Sequence, residues 1–236
     1  MYISPTPKAF NMDNLKIIHV QVLSDLRAHT SILNSYYLEM KCTVLKTKKV
    51  LVFFLIALFA GNGTLFAQKS DTSASSVQWY NFEGALTLNA ERVAQGLATK
   101  KIFVDVYADW CGWCKRMDAT TFVHPVIVEK LNGDWIPVKI DAERKDAVVI
   151  NGQMFVYEKS PNASRGFHQL AAILLNGQMG LPSYALIDET GKSIQVVPGY
   201  KTARQFEMLL DFYSSNSYRT TDWEEFQKTY QGLISE

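Results

Sequence analysis

YADWCGWCK, at residues 107–115, is the most informative stretch of the sequence, because two cysteines stand three positions apart directly after an apolar segment. Residues 101–107 are rich in β-branched and aromatic side chains and predict a strand. Asp109 is a suitable N-cap, so we expect a helix to open at Cys111. Unpaired N–H groups and the helix dipole stabilise a thiolate at such a position. The spacing therefore predicts a redox dithiol, in which Cys114 closes a small ring with the attacking sulfur.

Two cysteines at this spacing also occur as half of a zinc site, and this alternative stays open. A structural zinc site takes four ligands, and the sequence offers no second Cys or His pair at similarly short spacing. Cys42 is the only other cysteine, and His124 and His168 each stand alone. Two inert thiols are the third alternative. The pattern favours a redox pair without a metal, whereas a zinc site predicts stoichiometric zinc in the purified protein.

Residues 40–67 have the pattern of a secretory signal peptide. Four lysines precede an unbroken apolar run at 50–60, and small and polar residues follow as far as Ala67. The run is about eleven residues long, short of the roughly twenty that a membrane-spanning helix needs. We therefore expect cleavage after Ala67, with an uncleaved membrane anchor as the alternative.

Met40 is interpreted as the true start, and residues 1–39 as an over-extended reading frame or, alternatively, a cytoplasmic extension. Seven of the 24 Lys and Arg residues and three of the 23 acidic residues lie in 1–67, so 17 and 20 remain, a net charge near −3. This balance gives no indication of nucleic-acid binding. Residues 68–80 are expected to be a polar leader and 81–236 one domain. An exported domain with one close cysteine pair is not a disulfide-stapled scaffold.

Beyond the leader, strands and helices alternate, which predicts an α/β fold. Helix starts are predicted from capping residues. Further strands are predicted at 135–141, 184–188 and 194–197, the last two as an antiparallel pair, and helix starts at Asn89, at Thr202 with Gln205, and at Thr221 with Glu224 ahead of a C-terminal helix at about 221–233.

With these motifs the chain resembles the thioredoxin-fold thiol-disulfide oxidoreductases over roughly residues 82–212. The stretches VDVYADWC at 104–111 and GLPS at 180–183 look most similar to the C-terminal periplasmic domain of the transmembrane thiol reductase DsbD and to related exported proteins. The resemblance implies a central mixed sheet flanked by helices, here with an inserted β-hairpin and a C-terminal helical extension. It also implies a periplasmic location in a Gram-negative bacterium and no bound cofactor.

The same resemblance implies roles for the residues around the dithiol. Pro182 is expected to be a cis-proline beside the site, and Leu181 to offer backbone hydrogen bonds to an extended substrate peptide. Asp105 is expected to be a buried carboxylate behind the pair, where burial raises its pKa and makes it a proton acceptor for Cys114. The other substrate-binding residues are expected to be Trp110, Gly112 and Trp113.

Two features depart from the thioredoxin pattern. Thioredoxins commonly carry a lysine near the buried acid, and the aligned position here is Pro137, with Lys139 nearby. Whether Asp105 has a cationic partner is left open. The dipeptide between the cysteines is Gly112-Trp113 rather than Gly-Pro, which affects thiolate stability and redox poise.

The segment between Asp141 and Pro182 is longer than in a minimal thioredoxin. Asn151-Gly152, between two β-prone runs, predicts a hairpin within an insertion at about 146–160, and a helix is expected over 167–175. The hairpin is either a substrate-recognition element at the rim of the site or a simple edge extension.

The predicted activity is reduction of protein disulfides through the Cys-Gly-Trp-Cys dithiol. The predicted partners are disulfide-containing proteins and a membrane thiol reductase that donates electrons, because the periplasm is kept oxidising. No nucleic acid is expected, and membrane contact only through the transient signal peptide. Two alternatives remain: a disulfide oxidase or isomerase, and a non-catalytic module that presents a peptide groove.

Overall fold

A four-stranded mixed sheet organises residues 76–235, the part of the chain that the computed structural model describes. The predicted segments at 1–39 and 40–67, and most of the leader at 68–80, lie outside the described residues. Within 76–235 no helix has the length and apolar character needed to cross a bilayer. The elements in chain order are α1 (Phe82–Ala94), β1 (Lys101–Tyr107), α2 (Gly112–Ala119), α3 (Pro125–Asp134), β2 (Trp135–Asp141), β3 (Val148–Ile150), β4 (Gln153–Phe155), β5 (Tyr157–Glu158), β6 (Phe167–His168), α4 (Gln169–Leu174), β7 (Ser183–Ile187), β8 (Ser193–Pro198), α5 (Ala203–Ser214), a 3-10 turn (Ser217–Arg219) and α6 (Trp223–Thr229).

The sheet has the strand order β2-β1-β7-β8, with β1 parallel to β2 and antiparallel to β7. The prediction of a mixed thioredoxin-type sheet, with β7 and β8 as its antiparallel pair, is confirmed. Tyr107 lies opposite Asp141, and Val106 lies opposite Ser183. The C-terminal ends of β1 and β2 and the start of β7 therefore meet at one edge of the sheet.

Each face of the sheet buries a separate hydrophobic cluster, because side chains alternate along a strand. Val104 and Val106 of β1 belong to a cluster of aliphatic residues that includes α4. Phe103 points to the opposite face, where its ring packs 5.3 Å from that of Phe206 on α5 and 5.5 Å from that of Tyr184. By the same alternation, Asp105 is on this second face, which carries the aromatic residues.

The first helix is capped at a different asparagine from the one predicted. Asn81 is the N-cap of α1, and its side chain accepts a hydrogen bond from the Gly84 N–H. Asn89 lies within the helix, where its amide exchanges two hydrogen bonds with the backbone of Lys100. The predicted cap at Asn89 is therefore wrong, because this side chain fastens the turn after the helix instead of starting it.

The insertion contains the predicted hairpin, β3 and β4. Asn151 (φ 58°) and Gly152 (φ 75°) both adopt the left-handed conformation that a two-residue hairpin turn needs. The helix predicted over 167–175 is shorter, because Phe167–His168 first pairs with Tyr157–Glu158 as a second small sheet. Helix α4 begins only after that pairing ends.

The C-terminal extension packs on α5. The capping box at Thr202 and Gln205 is present at the start of α5. At the last helix the predicted box of Thr221 and Glu224 is wrong: Asp222 is the N-cap, without a side-chain hydrogen bond. This helix, α6, is also shorter than the predicted 221–233, since the chain leaves the helix at Tyr230 and is then held by side chains of α5.

A buried glutamate on α5 holds that final segment. Glu207 is fully buried, and its two carboxylate oxygens accept the backbone N–H groups of Leu233 (2.7 Å) and Ile234 (3.0 Å). The Tyr230 hydroxyl donates to Asp211 at 2.6 Å. The segment after α6 is thereby tied to the main domain by polar contacts.

Candidate active site

The two cysteines lie at the N-terminus of α2 and are joined by a disulfide bond. Cys111 is the N-cap residue, and its sulfur accepts a hydrogen bond from the Cys114 N–H at 3.1 Å. Both residues are 3% exposed. The predicted N-cap at Asp109 is wrong, because the Cys111 N–H bonds to the Ala108 carbonyl in a turn, so the helix starts later. At the N-cap position the Cys111 sulfur faces the N–H groups of the helix, which favours a thiolate when the disulfide is reduced.

Two tryptophans flank the disulfide and are among the most exposed large apolar residues described. Trp110 is 47% exposed and Trp113 is 55% exposed. The Trp113 ring lies 5.2 Å from that of Tyr200. Gly112, between the cysteines, has open space where a side chain would begin. Each cysteine is therefore preceded in the chain by an exposed aromatic side chain.

The peptide bond between Leu181 and Pro182 is cis, as the resemblance to the thioredoxin-fold oxidoreductases implies. Pro182 directly precedes β7, whose first residue, Ser183, lies opposite Val106. Because β1 leads to the cysteines from this same edge, the cis-proline and the dithiol come from adjacent strand ends. Pro182 is buried, and Leu181 is half-buried. Their predicted contact with a substrate peptide stays a prediction.

Asp105 is buried in the sheet and has a lysine partner. The residue is 2% exposed, and its register neighbours are Lys139 on β2 and Tyr184 on β7. The Lys139 ammonium lies 3.0 Å from Asp105 Oδ2 and also contacts Asp118 on the dithiol helix. The question left open by the sequence is answered: the cationic partner of Asp105 is Lys139, and it connects the buried acid to α2.

The environment of Asp105 keeps it ready to exchange a proton near neutral pH. Burial raises the pKa of Asp105 from 3.8 to about 6, and the charge of Lys139 only partly opposes this rise. Burial also lowers the pKa of Lys139, but the neighbouring carboxylates outweigh that effect and leave its pKa raised. Among the described residues, no hydrogen-bond partner reaches the buried Oδ1 of Asp105. One oxygen is therefore available to accept a proton.

Residues that the sequence did not single out hold Trp110. Its indole N–H donates to Glu143 Oε1 at 2.9 Å, and the Arg165 guanidinium lies 4.6 Å from the ring centroid. Glu143 follows the end of β2, whereas Arg165 lies in the loop between β5 and β6. The sequence carries no periodic signal for either contact, because both arise from loops that meet at the strand ends.

No group of three or more His, Cys, Asp or Glu side chains within residues 76–235 is arranged to hold a metal ion. Residues 88–214 match the thioredoxin-like domain family, more than half of the chain. The chain belongs to this family. Its Cys111–Cys114 pair places it among the thioredoxin-like thiol-disulfide oxidoreductases.

The individual proteins to which the chain is similar share less than a third of its residues over the aligned regions. The thiol:disulfide interchange protein DsbD of Actinobacillus pleuropneumoniae serotype 5b (strain L20) is 28% identical over 109 residues, which is 45% of this chain and 15% of the relative. Among solved structures, the DsbD C-terminal domain of Neisseria meningitidis in its reduced form is 21% identical, with 57% of this chain and 96% of that chain covered and a TM-score of 0.36. A putative disulphide-isomerase from Bacteroides thetaiotaomicron is 19% identical, with coverage of 63% and 98% and a TM-score of 0.40.

Proposed function

We propose that this thioredoxin-like protein reduces disulfide bonds in other proteins. The observation that carries the proposal is the Cys111–Cys114 pair at the start of α2, with a buried carboxylate, Asp105, on the strand that leads to it. A reductase has to release its client by deprotonating the second cysteine. An acid with a pKa of about 6 and an oxygen without a partner suits that task.

In the proposed reaction, the Cys111 thiolate attacks one sulfur of a client disulfide. The client S–S bond breaks, a mixed disulfide forms, and the second client sulfur leaves as a thiolate that takes up a proton. Asp105 accepts the proton of Cys114, whose thiolate then attacks the Cys111 sulfur. The mixed disulfide breaks, the client leaves as a dithiol, and two electrons have passed from the protein to the client.

The surrounding surface has proposed roles in client binding. Trp110, Gly112 and Trp113 contact the client on both sides of the reacting sulfur, and Leu181 and Pro182 align its backbone. Exposed aromatic side chains suit this task because they supply large contact area at low entropic cost. No bound cofactor takes part in the proposed exchange.

The electron supply sets the proposed location and partner. Residues 40–67 are proposed to direct export to the periplasm of a Gram-negative bacterium, with 81–236 as the working domain. Because that compartment is kept oxidising, the Cys111–Cys114 disulfide has to be reduced again by a membrane thiol reductase. The similarity to part of a thiol:disulfide interchange protein supports this arrangement.

The experiment that tests the direction is the midpoint potential of the dithiol, measured in glutathione or dithiothreitol buffers with alkylation of free thiols. We expect a value near the roughly −270 mV of thioredoxin. A value near the roughly −120 to −180 mV of DsbA and protein disulfide isomerase would assign an oxidase or isomerase instead. Cys111→Ser should abolish exchange. If the unaltered protein binds clients but does not exchange disulfides with them, it is a non-catalytic peptide-binding module instead.

A further inference from the structure

The side chain of Trp110 is held from two directions although nearly half of it is exposed. Glu143 accepts its indole N–H at 2.9 Å, and the Arg165 guanidinium covers its ring at 4.6 Å. Arg165 Nη1 also lies 3.5 Å from the same Glu143 oxygen. The three side chains form a closed triangle in which each contacts the other two.

The triangle fixes the ring better than either contact alone. The hydrogen bond sets the position of the indole edge, and the planar guanidinium restrains rotation by stacking on the ring face. Arginine suits this position because its flat group can stack on an aromatic ring and pair with a carboxylate at once. A lysine could provide the charge but not the stacking.

Arg165 lies in the loop between β5 and β6, shortly after the insertion predicted at about 146–160. It also lines a cavity of about 540 Å³ with Phe155, Phe167 and Ile173. Through Arg165, this loop reaches the residue that precedes Cys111.

We propose that Arg165 is a positioning residue for disulfide exchange with polypeptide clients, and that Glu143 assists it by fixing the Trp110 indole beside Cys111. The inference rests on the proposed function and names the residues that position Trp110 for its protein clients. A polypeptide has to lay its chain across the rim to bring a disulfide to Cys111, so it contacts Trp110. A pre-positioned ring lowers the entropic cost of that contact. A small disulfide reaches the sulfur without covering the rim and gains little.

The test uses the full chain, which is reduced beforehand, and compares its reactions with two disulfides. The second-order rate constant for its oxidation is measured with a disulfide-bonded peptide of about ten residues, which spans the rim at 3.3 Å per residue, and with glutathione disulfide. The indole N–H resonance of Trp110, assigned with Trp110→Phe, reports the position of the ring. Arg165→Ala and Arg165→Lys are the variants.

Arg219→Ala is the matched control. Its side chain is 54% exposed against 50% for Arg165, lies 5.4 Å from the Tyr218 ring and reaches Glu189 at 4.0 Å. The control therefore removes the same kinds of contact away from the cysteines. We expect it to change neither rate constant by more than about twofold.

For Arg165→Ala we expect the peptide rate constant to fall about fivefold, the glutathione disulfide rate constant to stay within about twofold, and the Trp110 resonance to move. Arg165→Lys should remain impaired with the peptide, because it lacks the planar group. An equal fall for both disulfides, an unchanged peptide rate, or an unmoved resonance would overturn the inference. If the unaltered protein reacts with neither disulfide, the proposed function itself fails and the inference fails with it.

Discussion

Two carboxylates are buried within the described residues, and their surroundings differ. Glu207, under the C-terminal segment, has both oxygens occupied by backbone N–H groups, and Lys130 lies 3.9 Å away. Asp105, on the strand that leads to the dithiol, has one oxygen near Lys139 and one without a partner. Buried polar groups are normally satisfied, because an unmet hydrogen bond costs free energy. The comparison indicates that Glu207 stabilises the fold, whereas Asp105 is buried at a cost in stability and keeps an oxygen free for the proton transfer that we propose.

Replacing the satisfied carboxylate should have the largest effect on folding. Glu207→Ala leaves the N–H groups of Leu233 and Ile234 without their acceptor, so we expect a loss of about 4 kcal/mol in the free energy of unfolding. Equilibrium denaturation in urea measures it. Glu225→Ala is the control, because its pair with Lys228 is exposed and should contribute less than about 1 kcal/mol. A loss below about 1 kcal/mol at Glu207 would contradict the comparison.

Replacing Asp105, the carboxylate that has one oxygen without a partner within the described residues, should instead raise the free energy of unfolding. The pKa of Asp105 is raised in the folded state, so folding binds its proton more tightly than the unfolded chain does. The resulting stability is fully present below about pH 4 and is lost as the pH rises through about 6. Asp105→Asn cannot ionise, so we expect it to be more stable than the unaltered protein by about 3 kcal/mol at pH 8.

Urea denaturation of the oxidised protein between pH 3.5 and 8 checks this expectation. The two stability curves should converge below about pH 4 and separate as the pH rises from about 4 to about 6. Curves that stay parallel would mean that Asp105 titrates normally in the folded protein.

The gain in stability should be accompanied by slower exchange. Without the carboxylate, Cys114 has to lose its proton to solvent, so we expect Asp105→Asn to lengthen the lifetime of the mixed disulfide at least about tenfold at pH 7. Rapid quenching and mass measurement of the mixed disulfide give that lifetime. Asp118→Asn is the control, since Asp118 contacts Lys139 but is 42% exposed. Equal slowing by both variants would remove the special role of Asp105.

Much of the frame of this site follows from local sequence. The strand at 101–107 and the capping box at Thr202 depend on contacts within a few residues, which periodicity and capping rules describe. Asp105 is also predictable as a buried acid, because its alternation places it within a strand of apolar residues. Lys139 could also have been predicted as the partner, because aligning the first residues of β1 and β2 places it opposite Asp105. The thioredoxin pattern, in contrast, aligns its lysine with Pro137.

The contacts that could not be predicted join distant parts of the chain. Arg165 contacts Trp110 from a loop between β5 and β6 whose path no local rule determines, and Glu207 binds a segment 26 residues later. The capping errors have a more local origin. Asn89 and Asp109 are chemically suitable caps, but Asn89 bonds to the backbone of Lys100 and the Cys111 N–H bonds to Ala108 in a turn, so the helices start elsewhere.

The smallest effects are expected at two tyrosines. Their hydroxyl groups differ in the same way as the two carboxylates, because one has a hydrogen-bond partner and the other has none within the described part of the chain. Tyr230 donates to Asp211, whereas the buried Tyr184 hydroxyl, opposite Asp105, has no partner among residues 76–235. Tyr230→Phe should therefore lower the free energy of unfolding by about 1 kcal/mol. Tyr184→Phe removes a group that gains nothing from burial, so we expect no loss in urea denaturation. A loss above about 1 kcal/mol at Tyr184 would mean that its hydroxyl has a hydrogen-bond partner in solution.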